Sequence, residues 1–329
     1  MLSRVADSIY WMNRYIERAG NVSRFVDVNL HLMLDMPSGA DEQWEAVLSA
    51  TGDFQTFQES FGSATRENVV KFLTFDTSNP NSIYSCVSAA RENARTVREV
   101  ITAEMWEQIN TFYLNIRAAA NVGAMPDEPH EFFTGIQMAG HLYEGITDAT
   151  MSHGEGWHFG RLGRLLERAN MTSRILDVMY YHLLPDVEDV GGPIDDVRWS
   201  AVLRSGSAFE MYRQRYGPIA PNRIAEFMIL DKEFPRSMNS CIVNADQSLH
   251  AISSSPIGSA NNEAEEKLSQ LRGNLDQANI DDILIGGLHE FLETFQGDIN
   301  MVGQSIYNTY LALPMPEALA NPEIQVDSQ

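Results

Sequence analysis

The sequence predicts an all-α protein that forms an internally duplicated helical bundle. Apolar residues recur at helical spacing, no stretch alternates for long enough to indicate a sheet, and several segments recur about 150 residues apart. We therefore expect two units, 1–149 and 150–315, which are related by a pseudo-twofold axis and together form one domain. Residues 316–329 are expected to form a loose tail.

The duplication is clearest in a charged helix near the start of each unit. "RYIERAGNVSRFVDV" begins at Arg14, and "RLLERANMTSRILDV" begins at Arg164. The residues shared at this offset of 150 are Arg14, Glu17, Arg18, Ala19, Ser23, Arg24, Asp27 and Val28, which recur as Arg164, Glu167, Arg168, Ala169, Ser173, Arg174, Asp177 and Val178. Asn21 is replaced by Met171, so the two copies need not be functionally equal.

Two further matches share an offset of 155. "WEAVLSATGDFQTFQESFG" pairs Trp44 with Trp199 of "WSAVLRSGSAFEMYRQRYG". "FLTFDTSNPNSIYSC" and "FMILDKEFPRSMNSC" pair Cys86 with Cys241. Less closely, "HEFF" at 130–133 corresponds to "HEFL" at 289–292. Because these matches occur in the same order at nearly one offset, chance is a poor explanation for them.

The first helix carries two faces at 3.6-residue spacing. The apolar face consists of Trp11, Tyr15, Val22, Val26 and Met33, with Ala19 and Leu30 beside it. The opposite stripe consists of Tyr10, Arg14, Glu17, Asn21 and Arg24.

Turn and cap residues delimit the remaining elements. We expect a turn at 37–39, a capped helix start in "DTSNPNS" around Pro80, and helices over 85–101 and 103–120. "GAMPDEPH" should break the chain, and "LLPDVEDVGGPIDD" should be the corresponding loop of the second unit. "SSSPIGSANNEAEE" should lead over the surface into an acidic helix.

Charge composition narrows the possible partners. The formal net charge of −22 disfavours nucleic acid, because a phosphate backbone repels so acidic a protein. Only three of the 23 basic residues are lysine, so arginine dominates, as expected for fixed ion pairs or an anion site. Adaptation to a salty habitat explains the same bias equally well.

Cysteine and hydropathy patterns suggest a location. The two cysteines indicate no disulfide framework and suit a reducing cytoplasm. The N-terminal segment lacks the apolar core of a signal peptide, and no apolar run is long enough to span a membrane. We expect a soluble cytoplasmic protein with no membrane association.

The repeated charged stripe has three interpretations: ion pairing between the units, an anion site for a ligand, or a solvated helix face. Pairing is favoured because like-charged arginines four residues apart are mildly destabilising unless anions lie nearby. In a pseudo-twofold packing, Glu17 meets Arg164 or Arg168, and Glu167 meets Arg14 or Arg18. The candidate cluster comprises Arg14, Glu17, Arg18, Asn21, Arg24, Arg164, Glu167, Arg168 and Arg174.

Other chemical signals are weak. "EGWH" has the Glu-x-x-His spacing of di-iron bundles, but no second copy exists, so we expect no metal. Cys86 and Cys241 are expected to be buried structural thiols, and His130 and His289 to make capping or core contacts. "GGPIDD" and "IGGLHE" lack the lysine and strand context of a phosphate loop, so no cofactor is expected and ATP binding is disfavoured.

Four stretches together resemble the alpha-E family, which is named for its helices and its Glu-Arg motif. They are "MLSRVADSIYWMNRYIERAGNVSRFVDV", "SCVSAARENARTVREVITAEMWEQIN", "HGEGWHFGRLGRLLERANMTSRILDV" and "AEFMILDKEFPRSMNSC". The resemblance covers residues 1–315 and implies a gene encoded beside circularly permuted ATP-grasp ligases, transglutaminase-like peptidases and proteasome-like hydrolases. It therefore implies a role in making or processing a peptide or amide-linked product. The candidate motif residues that it implies are Glu17, Arg18, Glu167 and Arg168, with Arg14 and Arg164.

Two classes of function follow. The first is a non-catalytic helical partner that docks an ATP-grasp ligase or presents its peptide substrate. The second is an enzyme acting on the ligase product, with Glu17 or Glu167 as acid/base and arginines holding a carboxylate. The first is favoured because the sequence shows no nucleophile–base pair and no cofactor motif.

Overall fold

In the computed structural model, residues 1–35, 44–122, 128–183 and 193–312 are described, and their regular structure is helical throughout. The helices of the first half are α1 Ser3–Asp35, α2 Trp44–Thr51, α3 Phe54–Phe61, α4 Arg66–Thr74, α5 Ile83–Thr96, α6 Ala103–Val122 and α7 Pro129–Thr150. Those of the second half are α8 Glu155–Leu183, α9 Pro193–Ser205, α10 Phe209–Tyr216, α11 Pro221–Leu230, α12 Met238–Ser253, α13 Glu263–Gln277, α14 Ile280–Gly286 and α15 Leu288–Ile306, before a π-helical turn, Tyr307–Leu311. The all-α prediction is confirmed. None of the described helices combines the length and the apolar composition that a membrane span requires.

Local sequence explains most helix ends. Helix α5 begins after Ser82, whose hydroxyl accepts a hydrogen bond from the backbone N–H of Ser85, as the predicted cap requires. The predicted loop over 183–196 is wrong at its end, because α9 begins at Pro193. The first position of a helix tolerates proline, whose missing N–H would have no partner there. The expected turn at 37–39, the rest of that loop and the expected tail over 316–329 lie outside the described residues.

Helices α1 and α8 are the long central elements of the fold. They pack on each other; α1 also contacts α5 and α7, and α8 contacts α12 and α15. The short helices cross over, since α2 packs on α8 and α9 packs on α1. The two halves therefore interlock around the central pair, and each one covers part of the other's longest helix.

The central position of α1 buries residues on both of its faces. Tyr10 and Asn21 of the charged stripe are 2% exposed, and Arg24 is 4% exposed. Trp11 and Tyr15 of the apolar face are only partly buried. Helical periodicity identifies the two faces, but it does not show that α1 has packed neighbours on both of them.

Glycine permits the closest approach of the central helices. A Cβ atom at Gly163 of α8 would lie 2.5 Å from the backbone oxygen of Tyr10 and 3.2 Å from Cγ of Arg14. Backbone cannot yield to such a contact as a side-chain tip can. Gly163 thus sets how closely α8 packs against α1.

We expect Gly163→Ala to lower the free energy of unfolding by about 1–3 kcal/mol, because the added methyl group separates the central helices. Gly145→Ala is the matched control, since Gly145 is an exposed glycine within α7 with open space around it. The free energy of unfolding of the control should rise by about 0.5–1 kcal/mol, because alanine has a higher helix propensity than glycine. Urea denaturation compares the two variants, and equal effects of the same sign would contradict the close crossing.

Candidate functional site

Glu167 lies at the centre of one charged cluster between α1 and α8. Its side chain is 0% exposed. Arg18 donates from Nε to Oε1 at 2.6 Å and from a terminal nitrogen to Oε2 at 3.0 Å. Arg14 donates from Nε to Oε2 at 2.9 Å. A carboxylate from one central helix is thus enclosed by two guanidinium groups from the other.

Glu17 lies at the centre of a second cluster, where the roles of the helices are reversed. Arg168 of α8 donates from Nε to Oε1 at 3.0 Å and from a terminal nitrogen to Oε2 at 2.8 Å. Arg236 adds a contact to Oε1 at 3.0 Å. Asn21 donates its amide to the same oxygen at 3.3 Å. The structure therefore places the two motif glutamates in reciprocal contacts between the halves.

Both glutamates stay ionised in these surroundings. Burial alone raises the pKa of Glu167, but Arg18 and Arg14 outweigh burial and lower the pKa to about 2. Burial likewise raises the pKa of Glu17, yet Arg168 and Arg236 hold it well below the ordinary value. Neither carboxyl group carries a proton to donate near neutral pH.

A third carboxylate, which sequence reasoning did not identify, completes the second cluster. Glu144 of α7 contacts Arg168 at 3.1 Å and Arg164 at 3.2 Å. The i,i+4 arginine pair of α8 therefore shares Glu144, just as Arg14 and Arg18 share Glu167. This sharing removes the like-charge repulsion that the sequence alone made conspicuous.

One difference between the two clusters lies at the residue that follows a proline in both copies of a matching sequence segment. In the first copy this residue is Asn81, whose side-chain oxygen accepts a hydrogen bond from Arg18 at 2.7 Å. In the second copy it is Arg236, which contacts Glu17. The alignment of "NPNS" with "FPRS" carried the signal for both residues. The second cluster gains a cation at the point where the first has a neutral amide.

The remaining predicted cations, Arg24 and Arg174, do not form ion pairs among the described residues. Arg24 donates to Oδ1 of Asn21 at 2.9 Å, and its Nε atom is buried without a hydrogen-bond partner. Burial lowers the pKa of both guanidinium groups. The stripe thus contains paired and unpaired arginines, and its interpretation as a solvated face is wrong because Glu17, Glu167 and Arg24 are buried.

The paired histidines contact aspartates of the central helices. His130 Nδ1 lies 2.9 Å from Oδ1 of Asp27, and Gln137 donates to the other oxygen at 3.5 Å. His289 Nδ1 lies 2.5 Å from Oδ1 of Asp177, again with a glutamine, Gln296, on the second oxygen at 3.2 Å. The expected capping or core contacts are wrong for both histidines, whose side chains are exposed.

One group of residues has the composition of a metal site. Ligand atoms of Asp27, His31 and His130 all lie within 4.8 Å of one another. Two imidazoles and a carboxylate are ligands that suit zinc and similar divalent ions. Sequence reasoning missed the group because His130 lies 103 residues from Asp27, although Asp27 and His31 have i,i+4 spacing. With both Nδ1 atoms turned towards Asp27, hydrogen bonding and ion pairing explain the geometry equally well.

Both cysteines are buried, as expected for structural thiols. Each lies in the first turn of a helix, with its sulfur 3.5–3.7 Å from the carbonyl oxygen of a preceding proline, Pro80 or Pro235. Burial raises the pKa of each thiol to about 12. A thiol with so high a pKa is a poor nucleophile at neutral pH.

A narrow cleft opens beside the second cluster, and a larger cavity adjoins it. The cleft holds about 20 Å³ of free space, and Glu17, Arg164 and Arg236 are among its walls. The adjoining cavity holds about 650 Å³ and is lined mainly by polar side chains of α1, α7 and α9. Arg24 and Gln137 line both spaces, so the two adjoin at these residues.

We expect Glu17→Ala to lower the free energy of unfolding by about 3–5 kcal/mol, because its arginine partners would stay buried with less compensation. Glu17→Ala combined with Arg168→Ala should cost less than the two single changes added together. The control is Glu92→Ala, which breaks an exposed pair with Arg95 and should cost no more than about 1 kcal/mol. Chemical denaturation of the four variants measures the coupling, and strict additivity would contradict it.

The lowered pKa of Glu167 predicts a loss of stability in acid. Because the folded-state pKa is about 2 and the ordinary value is 4.5, the contribution of this carboxylate is complete above pH 4.5 and is lost as the pH falls towards 2. Glu167→Gln should therefore show a shallower fall in stability over that interval than the unchanged protein. Urea titrations at successive pH values measure both slopes; equal slopes would show that Glu167 does not contribute.

Comparison with known proteins identifies the family to which this chain belongs. The chain is 21% identical to an uncharacterised protein of Mycobacterium bovis and, to the same extent, to uncharacterised proteins from two strains of Mycobacterium tuberculosis. Each match covers 94% of this chain but 37% of the relative, so the chain spans little more than a third of the relatives' length. No solved structure matches it. The Alpha-E family, described as a predicted alpha-helical domain with a conserved ER motif, matches residues 1–311, and the chain therefore belongs to the Alpha-E family.

Proposed function

We propose that this Alpha-E chain is a non-catalytic cytoplasmic partner in a peptide- or amide-ligating system. In this role it docks a circularly permuted ATP-grasp ligase or presents the peptide substrate of that ligase. The observation that carries the non-catalytic part is the state of the motif glutamates. Both are ionised, buried and held by arginines from the opposite half.

This state is unfavourable for acid/base catalysis. A general acid must carry a proton near neutral pH, and a general base works best when its pKa lies near the pH at which the enzyme operates. The pKa of Glu167 is about 2, and that of Glu17 is also strongly lowered. The same contacts are favourable for a structural role, because paired buried charges specify one register between two helices.

The ligase partner is inferred from the resemblance to the alpha-E family, and the length of the relatives is compatible with it. Since the chain spans 37% of each relative, the Alpha-E region there is joined to a much longer stretch of other sequence. A domain that works together with another protein is often found joined to additional domains in one chain.

We also propose that the halves, 1–149 and 150–315, are duplicated units related by a pseudo-twofold axis. Matching contacts support the proposal: Ser82 and Ser237 cap α5 and α12 through the same atoms, and Asp27 and Asp177 each bind a histidine and a glutamine. Aromatic trios repeat as well, in Phe57, Phe61 and Phe72 and in Tyr212, Tyr216 and Phe227. Reciprocal pairing of Glu17 and Glu167 is what such an axis produces.

An enzyme acting on the ligation product is the second candidate. One observation favours it: Glu17 borders a cleft that also contains arginines and a histidine, His141. The two candidates differ in what Glu17 must do. If the chain is an enzyme that uses Glu17 as its acid/base, Glu17→Gln abolishes its own activity on the ligation product. If it is a non-catalytic partner, Glu17→Gln leaves the activity of the ligase system unchanged as long as the chain stays folded.

We expect the purified protein to co-purify with a circularly permuted ATP-grasp ligase encoded beside it, when the two are co-expressed at low and moderate salt. It should hydrolyse no ATP alone. An ATP-grasp ligase from an unrelated system is the control and should not associate. Clean absence of the neighbouring ligase at both salt concentrations would count against the proposal, and ATP hydrolysis by the isolated chain would favour an enzyme.

A further inference from the structure

Arg24 is a buried cation that forms no ion pair among the described residues. Its side chain is almost fully buried, and among the described residues its only hydrogen bond is to Asn21. Its Nε atom is buried and has no acceptor. Burial, together with the neighbouring Arg236, lowers the pKa of Arg24 well below the ordinary value for arginine. Natural proteins rarely bury a charge in this way unless a partner compensates for it.

The surroundings of Arg24 carry the same imbalance. The cations of the second cluster are Arg24, Arg164, Arg168 and Arg236, and its carboxylates are Glu17 and Glu144. Among the described residues, four guanidinium groups therefore face these two carboxylates and a third, Asp27, whose charge also acts on Arg24. The Nε atom of Arg164 is also buried without a hydrogen-bond partner. Asp27 lies near Arg24 as well, but its oxygens are bound by His130 and Gln137.

We propose that the cleft beside the second cluster is a binding subsite for an organic carboxylate, and that the adjoining cavity holds the rest of that ligand. The space beside Arg24 and Arg236 is about 20 Å³, room for one small group of about the size of a water molecule. The neighbouring cavity is about 650 Å³, large enough for a short peptide or a similar molecule. Arg24 stands where the two spaces meet.

Charge and lining together specify the kind of ligand. Planar guanidinium groups bind carboxylates through paired hydrogen bonds, and Arg24 and Arg164 have buried donors available. The large cavity offers donors and acceptors such as Thr134, Gln137 and Ser200, which suit amide groups. A polyanion is disfavoured by the net charge of −22. The ligand that fits is a polar, amide-containing molecule with one terminal carboxylate.

The anion subsite stands on the charges alone, whereas its assignment to a peptide or amide substrate rests on the proposed function. The subsite also explains why one half differs from the other. Arg236 adds a cation where the first half has Asn81, and Asn21, which orients both Arg24 and Arg236, is Met171 in the second copy. These differences therefore place the extra cation, and the cleft it borders, at the second cluster.

The test uses the purified full chain without any ligase. N-acetyl-trialanine with a free carboxylate, the same peptide with a terminal amide, and inorganic phosphate are titrated by NMR and calorimetry into the millimolar range. We expect the free carboxylate to bind and to raise the melting temperature, and the amide to bind at least about tenfold more weakly. Equal binding of acid and amide, binding of phosphate alone, or binding of none of the three would overturn the proposal.

Three variants locate the subsite. Arg24→Gln should weaken peptide binding at least about tenfold while leaving the ligand-free melting temperature equal or higher, because it removes an uncompensated buried cation. Gly20→Leu should block binding without changing any charge, since Gly20 lines the cleft and a Cβ atom there meets nothing within 4 Å. Arg174→Gln is the matched control: Arg174 is the repeat counterpart of Arg24, lines neither cavity, and should leave binding unchanged.

Two outcomes would contradict this placement. If Arg174→Gln weakens binding as much as Arg24→Gln, or if Gly20→Leu binds the peptide normally, the ligand does not occupy the cleft. If the chain binds the peptide but does not associate with the ligase, the proposed partner is wrong and the proposed subsite is supported. If the chain associates with the ligase but binds no carboxylate, the proposed subsite is wrong and the proposed partner is supported.

Discussion

The exchange of charged pairs between α1 and α8 is the interaction on which the rest of the structure depends. Glu17 of α1 is held by Arg168 of α8, and Glu167 of α8 is held by Arg14 and Arg18 of α1. Ionised groups inside a protein lose several kcal/mol of hydration free energy each, so they persist only where geometry and hydrogen bonds compensate well. A shift of one helix along the other would separate carboxylates from guanidinium groups on both sides at once. The pairs therefore specify the register of the central helices more than they add to stability.

The remaining helices stabilise that register by excluding water from the ion pairs between α1 and α8. Helices α5 and α7 cover α1, whereas α12 and α15 cover α8. Helix α2 packs on α8 and α9 packs on α1, so each half contacts the long helix of the other. Gly163 lets the backbones approach closely enough for the side chains to span the gap. Packing and ion pairing thus depend on each other, because an open interface would hydrate the charges and weaken their attraction.

The differences between the halves point from structure to function. In the first cluster Glu167 is fully buried and Arg18 donates to Asn81, while Arg14 borders a separate cavity of about 350 Å³. The second cluster contains the extra groups Arg236 and Glu144 and opens into a cleft. One copy of a repeated motif can preserve the fold while the other binds a ligand, because the reciprocal pairing needs no more than one glutamate on each central helix. This division of roles is consistent with a chain that presents a substrate and leaves the chemistry to a partner.

The sequence by itself determined the helical class, the caps and the identity of the charged residues, since these depend on local spacing and on residues close together in the chain. Ser82 begins α5 because its hydroxyl is within reach of its own helix, and the like-charged arginines signalled that carboxylates must be near. Only the tertiary structure decided which carboxylates those are, and that Glu144 and Arg236 join them from α7 and the start of α12. It also decided that α1 is buried on its charged side and that Arg24 forms no ion pair among the described residues. These outcomes depend on contacts between different helices, from Glu144 and Arg168, which are 24 positions apart, to Glu17 and Arg236, which are 219 apart, and helical periodicity contains no information about which faces meet.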